Sequence, residues 1–291
     1  LTQRRRLILI ADDYGISPGV SAGIRQLAER RRLTGTGVMA TMAHWPAEAP
    51  ALRDLRGRIA VGLHFTLTDQ VPLGSAPRLA PTGRLPSVGK LLLAGVTGQI
   101  PRQEVADQLE RQLDKFETHF GAPPDFIDGH QHAHMFPGIW PVVLEVFGRR
   151  VDPAASWIRD CCDFRLGKRG QAFKAGVISV LSRAASRSIH ARQLHKNRGF
   201  SGFYDYGAGD LAKFFLPMLS EAQDGHAMMV HPGHVDAELR AVDGLTDPRE
   251  REWAFLMGDD FPVQLAAAGF ELARPGFPVD WDAESRQTAA P

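Results

Sequence analysis

Cysteine is nearly absent: the 291 residues contain only Cys161 and Cys162, and these are adjacent. Vicinal cysteines bond to each other only with strain, so no disulfide framework exists and a reducing compartment is expected. Charge imbalance is absent too. A net charge of +1 supplies no global field for nucleic acid or an anionic membrane. No apolar run approaches the roughly 18 residues of a spanning helix. The basic start Arg4-Arg5-Arg6 leads into a short apolar run that ends at Asp12-Asp13, a poor signal peptide. A cytoplasmic protein without nucleic-acid or membrane partners is expected. No internal repeat is visible, and 44% apolar with 23% charged residues is ordinary for a globular chain.

What the chain does have is alternation. Leu7 to Ala11 is an unbroken apolar run, the mark of a strand covered on both faces. Ser17-Pro18 offers an N-cap with proline at the first helical position, and Val20, Ile24 and Leu27 follow at helical spacing to about Arg32. Further strands are predicted at 36–41, 59–64, 126–128, 155–159, 227–231 and 270–272. Helices are predicted at 46–55, 101–120, 137–147, 170–187, 210–222 and 247–268. In the 101–120 helix, Val105, Leu109, Leu113 and Phe116 make one apolar stripe. A Pro- and Gly-rich segment covers 69–89. Strands alternating with helices imply parallel βαβ units, and about seven of them suggest an α/β barrel or a strongly curved sheet. A single domain over 1–281 is expected, with a frayed polar tail at 282–291.

Asp13, His64, His130, Arg159 and His231 all fall at the C-terminal ends of predicted strands. In a (β/α) barrel those ends converge on one face, where active sites are built. The densest segment is Asp128-Gly129-His130-Gln131-His132-Ala133-His134. Imidazole and carboxylate together suit a divalent cation of the zinc, nickel, cobalt or manganese kind. The adjacent Asp12 and Asp13 diverge at a strand end, so one can bind metal while the other faces the substrate as a base. The plainer reading is a helix cap and a turn. Gly62, just before Leu63-His64, is expected to admit another backbone.

Spacing alone leaves the three histidines open. An extended chain puts all of them on one side, whereas a turn pairs His130 with His134. Three protein ligands leave a position for water, and His130 is favoured because it lies nearest the strand end. Asp128, His132 and His134 then serve as orienting or substrate-binding groups. His231 ends a strand and precedes Pro232-Gly233, so its ring points at the rim and can protonate a leaving amine. Its plainer role is a hydrogen bond across the barrel mouth. Arg159 either orients an aspartate or is a solvated charge. The basic stretch 183–198 reads as a solvated helical face rather than an anion site. Trp140 and Trp157 read as core rather than sugar platforms.

Ala-Asp-Asp-Tyr-Gly at 11–15, Gly-Leu-His-Phe-Thr-Leu-Thr at 62–68, Asp-Gly-His-Gln-His-Ala-His at 128–134 and His-Pro-Gly at 231–233 resemble the YdjC-like family. That family includes chitooligosaccharide deacetylases and is related at a distance to the NodB-type polysaccharide deacetylases. The resemblance runs in order from about residue 7 to 272 and assigns nothing in 163–206. It implies a distorted (β/α) barrel, one divalent metal ion held by an Asp and two His, and hydrolysis of an N-acetyl group from an amino sugar. Zinc or magnesium is expected first, with nickel, cobalt or manganese as alternatives. On these positions it implies that Asp13, His64 and His130 bind the metal, that Asp12 is the base and that His231 is the acid. The expected partner is an N-acetylated amino-sugar substrate, and a homodimer is compatible with the sequence. Two other functions fit the same residues. A hydrolase of another bond, such as a phosphoester, would call for a second metal or more Lys and Arg at the rim. A non-catalytic barrel that binds sugars or a partner would lack metal or fill its site with a fourth protein ligand.

Overall fold

A computed structural model of the chain describes residues 4–163, 172–207 and 210–273, so the tail expected at 282–291 lies outside the described residues. The chain begins with β1 (Arg5–Tyr14), whose apolar run Leu7 to Ala11 is buried throughout, as the absence of alternation predicts. Ser17 caps α1 (Pro18–Glu29): its Oγ accepts from the Val20 N–H at 3.3 Å, with Pro18 in the first turn. There follow β2 (Gly35–Val38), α2 (Trp45–Arg53), β3 (Ala60–Phe65), α3 (Val88–Val96) and α4 (Arg102–Phe120). The predicted stripe of α4 is fully buried, and Gly121 ends the helix at φ 80°. Next come β4 (Phe126–Gly129), a 3-10 turn (His130–Met135), α5 (Trp140–Arg150), β5 (Trp157–Ile158), α6 (Ala172–Ala191) and β6 (Gly199–Ser201). The described chain closes with α7 (Leu211–Leu219), β7 (His226–Val230), α8 (Ala237–Val242), α9 (Asp247–Met257), α10 (Asp260–Ala267) and β8 (Phe270–Leu272).

All strand pairings are parallel, in the order β5-β4-β3-β2-β1-β7-β6, with β8 joined to the N-terminal end of β1. The sheet curls until its two edges meet. There the backbone makes a single bridge, Ile158 to Lys196, with the Ile158 N–H on the His195 carbonyl at 3.0 Å. A side chain completes the seam: Asn197 Oδ1 accepts from the Asp160 N–H at 2.7 Å, while its Nδ2 donates to the Asp160 and Gly199 carbonyls at 2.9 and 2.7 Å. The result is the distorted (β/α) barrel that the sequence implies.

Several elements differ from expectation. The single helix predicted at 247–268 is two, because Gly258 takes an extended ψ of 164° between α9 and α10. Gly62 makes room for an aromatic ring rather than a backbone: a Cβ there would lie 2.4 Å from the Phe126 ring. Phe126 in turn stacks on Trp157, which is core as expected. The short β6, with α3 and α8, had no predicted counterpart. The segment after β3 is anchored by two buried glutamines of α4. Gln112 exchanges hydrogen bonds with both backbone groups of Thr66, and Gln108 does the same with Leu73. Among the described residues no helix is long and apolar enough to cross a membrane.

The seam gives a stability test. Asn197→Leu removes three hydrogen bonds and leaves the buried Asp160 backbone groups without partners, at a cost of about 1–3 kcal/mol each for unsatisfied buried groups. Denaturant unfolding should show a clearly lower midpoint than the wild type with the slope unchanged.

Candidate functional site

At the end of β1 the pairing with β2 is interrupted between Ala11 and Tyr14, and Asp13 takes φ 70°. That left-handed backbone is uncommon for a residue with a side chain, though Asp tolerates it better than most. Its effect is to send two adjacent carboxylates to different partners. Asp13 Oδ1 lies 3.0 Å from His130 Nδ1 and 3.4 Å from His64 Nε2. Asp12 lies in the fork of Arg159, whose Nη1 and Nη2 donate to Oδ2 and Oδ1, both at 2.7 Å.

His64, at the end of β3, donates from Nδ1 to Asp128 Oδ1 at 2.7 Å. Only Nε2 is left to face Asp13. Gly37 provides the room: a Cβ on it would lie 3.1 Å from the His64 ring and 3.3 Å from Asp128 Oδ1. Asp128 also meets Arg159 Nη2 at 2.5 Å, so one fully buried guanidinium joins Asp12 and Asp128. Arg159 is therefore not a solvated charge.

The three histidines of the 130–134 segment go three ways, and neither an extended strand nor an i, i+4 pair describes them. Gln131 and His132 both have left-handed backbones, φ 53° and 61°. His130 joins Asp13. His132 turns to Cys161, whose sulfur is 3.6 Å from Nδ1, and to the edges of Phe200 and Phe203. His134 donates from Nε2 to the Arg159 carbonyl at 2.9 Å. Burial and the nearby Arg159 charge push His132 well below the usual imidazole range. Burial outweighs the Asp128 charge at His134 and takes it down to about 4.

Asp13, His64 and His130 are the set that could hold a divalent cation. One carboxylate oxygen and two imidazole nitrogens converge, and a carboxylate fixes the His64 tautomer from behind. Burial disfavours charge on His64, yet the Asp128 and Asp12 carboxylates and the bonds to Asp128 and Asp13 overcome it and raise the imidazole to about 10. The site favours positive charge at this point, as a cation site must. A second cluster, Asp12, His64 and Asp128, is close enough to ligate as well, but Arg159 already occupies both of its carboxylates. Burial alone would raise Asp12, and the Arg159 charge instead holds it at about 2.

His231 follows β7. Its Nδ1 lies 3.2 Å from the Tyr206 hydroxyl, and its backbone N–H donates to Glu252 Oε2 at 2.5 Å. Burial lowers its imidazole below the ordinary range despite the Asp13 and Asp12 charges.

Over residues 6–267 the chain matches the YdjC-like protein family. The chain belongs to the YdjC-like family. Among its family relatives, a Serratia marcescens chitooligosaccharide deacetylase is 36% identical over 91% of this chain and 96% of its own length. A Proteus mirabilis chitooligosaccharide deacetylase is 31% identical with the same coverage of each chain. A Geobacillus stearothermophilus carbohydrate deacetylase is 28% identical over 92% of this chain and 96% of its own. A solved Enterococcus faecalis structure, provisionally described as a cellobiose-phosphate cleavage protein, has the same fold. It superposes with a TM-score of 0.70 at 19% identity, over 94% of this YdjC-like chain and 98% of the other.

Sequence reasoning placed a helix over α9 but missed what two of its side chains do. Arg249, fully buried, donates from Nη2 to Asp13 Oδ2 and pairs with Asp243, both at 2.6 Å. Glu252, three residues on, also accepts from the Tyr204 hydroxyl at 2.5 Å. The stretch Arg249-Glu250-Arg251-Glu252 looks like a solvated charge run. Its signal was position: Arg249, Glu252 and Leu256 share one helical face, so two charges occupy core positions.

Glu252 carries a pH prediction. Burial raises its carboxyl from 4.5 to about 7, above its unfolded value. The folded state therefore binds the extra proton between those values, and this contribution to stability is lost as pH rises through about 7. Glu252→Gln should flatten the fall in unfolding free energy between about pH 5 and pH 8 relative to wild type. Parallel curves for the two proteins would contradict the raised value.

Proposed function

We propose that this YdjC-like protein is a metal-dependent carbohydrate deacetylase that hydrolyses N-acetyl groups on amino sugars. The observation that carries the reading is the division between Asp12 and Asp13. One aspartate joins two histidines in a cation-binding set, and its neighbour stands beside that set as an ionised carboxylate in the fork of Arg159. The names of the relatives support the substrate class.

Asp13, His64 and His130 are the proposed ligands; two imidazoles and a carboxylate suit zinc, nickel, cobalt or manganese better than magnesium, which prefers oxygen ligands. When bound, such a cation supplies Lewis acidity, acidifying water and polarising a carbonyl. The chain does the rest. Asp12 takes a proton from the attacking water as the new C–O bond forms at the acetyl carbon. Arg159 fixes the direction of both Asp12 oxygens. Because the fork keeps Asp12 a weak base, the proton is transferred late, when the attacking oxygen is most acidic. His231 then donates a proton to the amide nitrogen as the C–N bond breaks, and acetate and a free amine leave. Asp128, His132 and His134 are proposed as supports rather than ligands: Asp128 sets His64, and His134 holds the backbone of Arg159.

Free amine released from acetylated amino-sugar oligomers, with several divalent metals supplied, tests the function. His64→Ala or His130→Ala should sharply lower metal content in elemental analysis, whereas His132→Ala should change it little. Asp12→Asn should retain metal and fold but lose turnover by about 10²–10⁴-fold, the usual contribution of a positioned base. Full metal occupancy in both histidine variants would sink the ligand set, and an active Asp12→Asn would sink the base. For His231→Ala, an activated acetyl ester should lose far less rate than the amide, because its leaving group needs little protonation.

A further inference from the structure

The proposed acid His231 is held by a phenol where a carboxylate would be the familiar partner. The Tyr206 hydroxyl lies 3.2 Å from His231 Nδ1 and 3.3 Å from the Gly202 carbonyl oxygen, and the two rings meet edge-on at 5.8 Å and 85°. A carbonyl only accepts, so the single phenolic proton goes to Gly202 and an oxygen lone pair faces the imidazole. Nδ1 then carries a proton, and Nε2 is the nitrogen free to exchange one with a bound molecule. Among the described residues no carboxylate hydrogen-bonds the His231 ring.

Both halves of this contact are fixed by α9. Arg251 Nη2 donates to the Tyr206 carbonyl at 2.8 Å. Glu252 accepts from the His231 N–H with one oxygen and from the Tyr204 hydroxyl with the other, each at 2.5 Å. The Tyr204 ring in turn lies against Tyr206 with centroids 4.4 Å apart. A contact tied down from one helix on both sides is built for direction. Surface chance would not supply that many restraints.

We propose that Tyr206 is the positioning residue of His231: it holds Nδ1–H, so that Nε2 alone delivers the proton to the leaving amine nitrogen. This rests on the reading of His231 as leaving-group acid. As the C–N bond breaks, its electron pair goes to nitrogen, the proton leaves Nε2, and His231 is left neutral with Nδ1–H still bonded to Tyr206. A neutral phenol supports the imidazolium less than a carboxylate would, so the acid gives up its proton more readily.

The test is the tautomer of His231. In the full chain loaded with zinc and labelled with ¹⁵N-histidine, NMR correlation through the ring, assigned by the signal lost in His231→Gln, should place the proton of the neutral ring on Nδ1. Tyr206→Phe keeps the ring packing and should shift the proton toward Nε2, the form that free imidazole side chains favour. The same variant should lose kcat on acetylated oligomers by about 10-fold, part of what a positioned acid contributes. Its KM should stay within about twofold, and an activated ester should be largely spared. A wild-type proton on Nε2, or a tautomer unmoved by Tyr206→Phe, overturns the proposal. The wild-type spectrum needs neither a variant nor turnover. The expected tautomer in a protein without deacetylase activity would uphold the phenol–imidazole pairing and remove the deacetylase reading instead.

Discussion

Arg159 is the constraint on which the site depends. Its guanidinium is fully buried between Asp12 and Asp128, and its backbone accepts from His134 and donates to Ile127. Three strands are thereby locked in register at their C-terminal ends. Without this cation, two buried carboxylates would repel, Asp128 would lose the charge that balances it, and His64 would lose its fixed tautomer. Leaving a buried charge unpaired costs about 3–5 kcal/mol, a large share of an ordinary domain's stability. Such a group is kept for arrangement more than for net stabilisation.

The charge balance explains what the arrangement is for. Around the cluster, three buried carboxylates, Asp12, Asp13 and Asp128, meet two buried guanidiniums, Arg159 and Arg249. One negative charge is left over, which a protonated His64 balances when no cation is bound and which a bound cation would balance with His64 neutral. Burial makes an uncompensated negative charge costly here, so positive charge is the natural complement. Arg249 refines the geometry by occupying Asp13 Oδ2, which leaves Oδ1 as the oxygen turned toward the histidines.

Strong periodic signals made the barrel legible: the unbroken run of β1, the Ser17-Pro18 start of α1 and the stripe of α4 each dictate one outcome. What escaped was short or supported from elsewhere. β6 has three residues and is held by β7, and the break at Gly258 depends on a single ψ. The candidate ligands were legible because strand ends converge. Which histidine of 130–134 joins Asp13 was not, since it depends on left-handed residues at 131 and 132 that no spacing rule encodes. Arg249, Glu252 and Tyr206 were hidden because burial of a charge or a phenol is a tertiary event, decided by where α9 and the β6–α7 loop dock.

The seam between β5 and β6 has a mechanical meaning. Every other junction on the barrel path is a ladder of backbone bonds, so opening one of those breaks several at once. This junction has one backbone bridge and is otherwise held by side chains, the Asn197 amide, the Lys196–Asp160 ion pair at 2.5 Å and Asp163 on the Phe200 N–H at 3.1 Å, and it lies next to Arg159 in sequence. The barrel is thus a cylinder with a clasp. Hydrogen exchange at the Ile158 and Asp160 amides can proceed by unfastening that clasp, a sub-global opening that leaves the β1–β4 side folded. Such breathing would widen the rim beside Phe200 and His132 and spare the ligands on the far strands. The rim can thus yield on the β5–β6 side while Asp13, His64 and His130 keep their places.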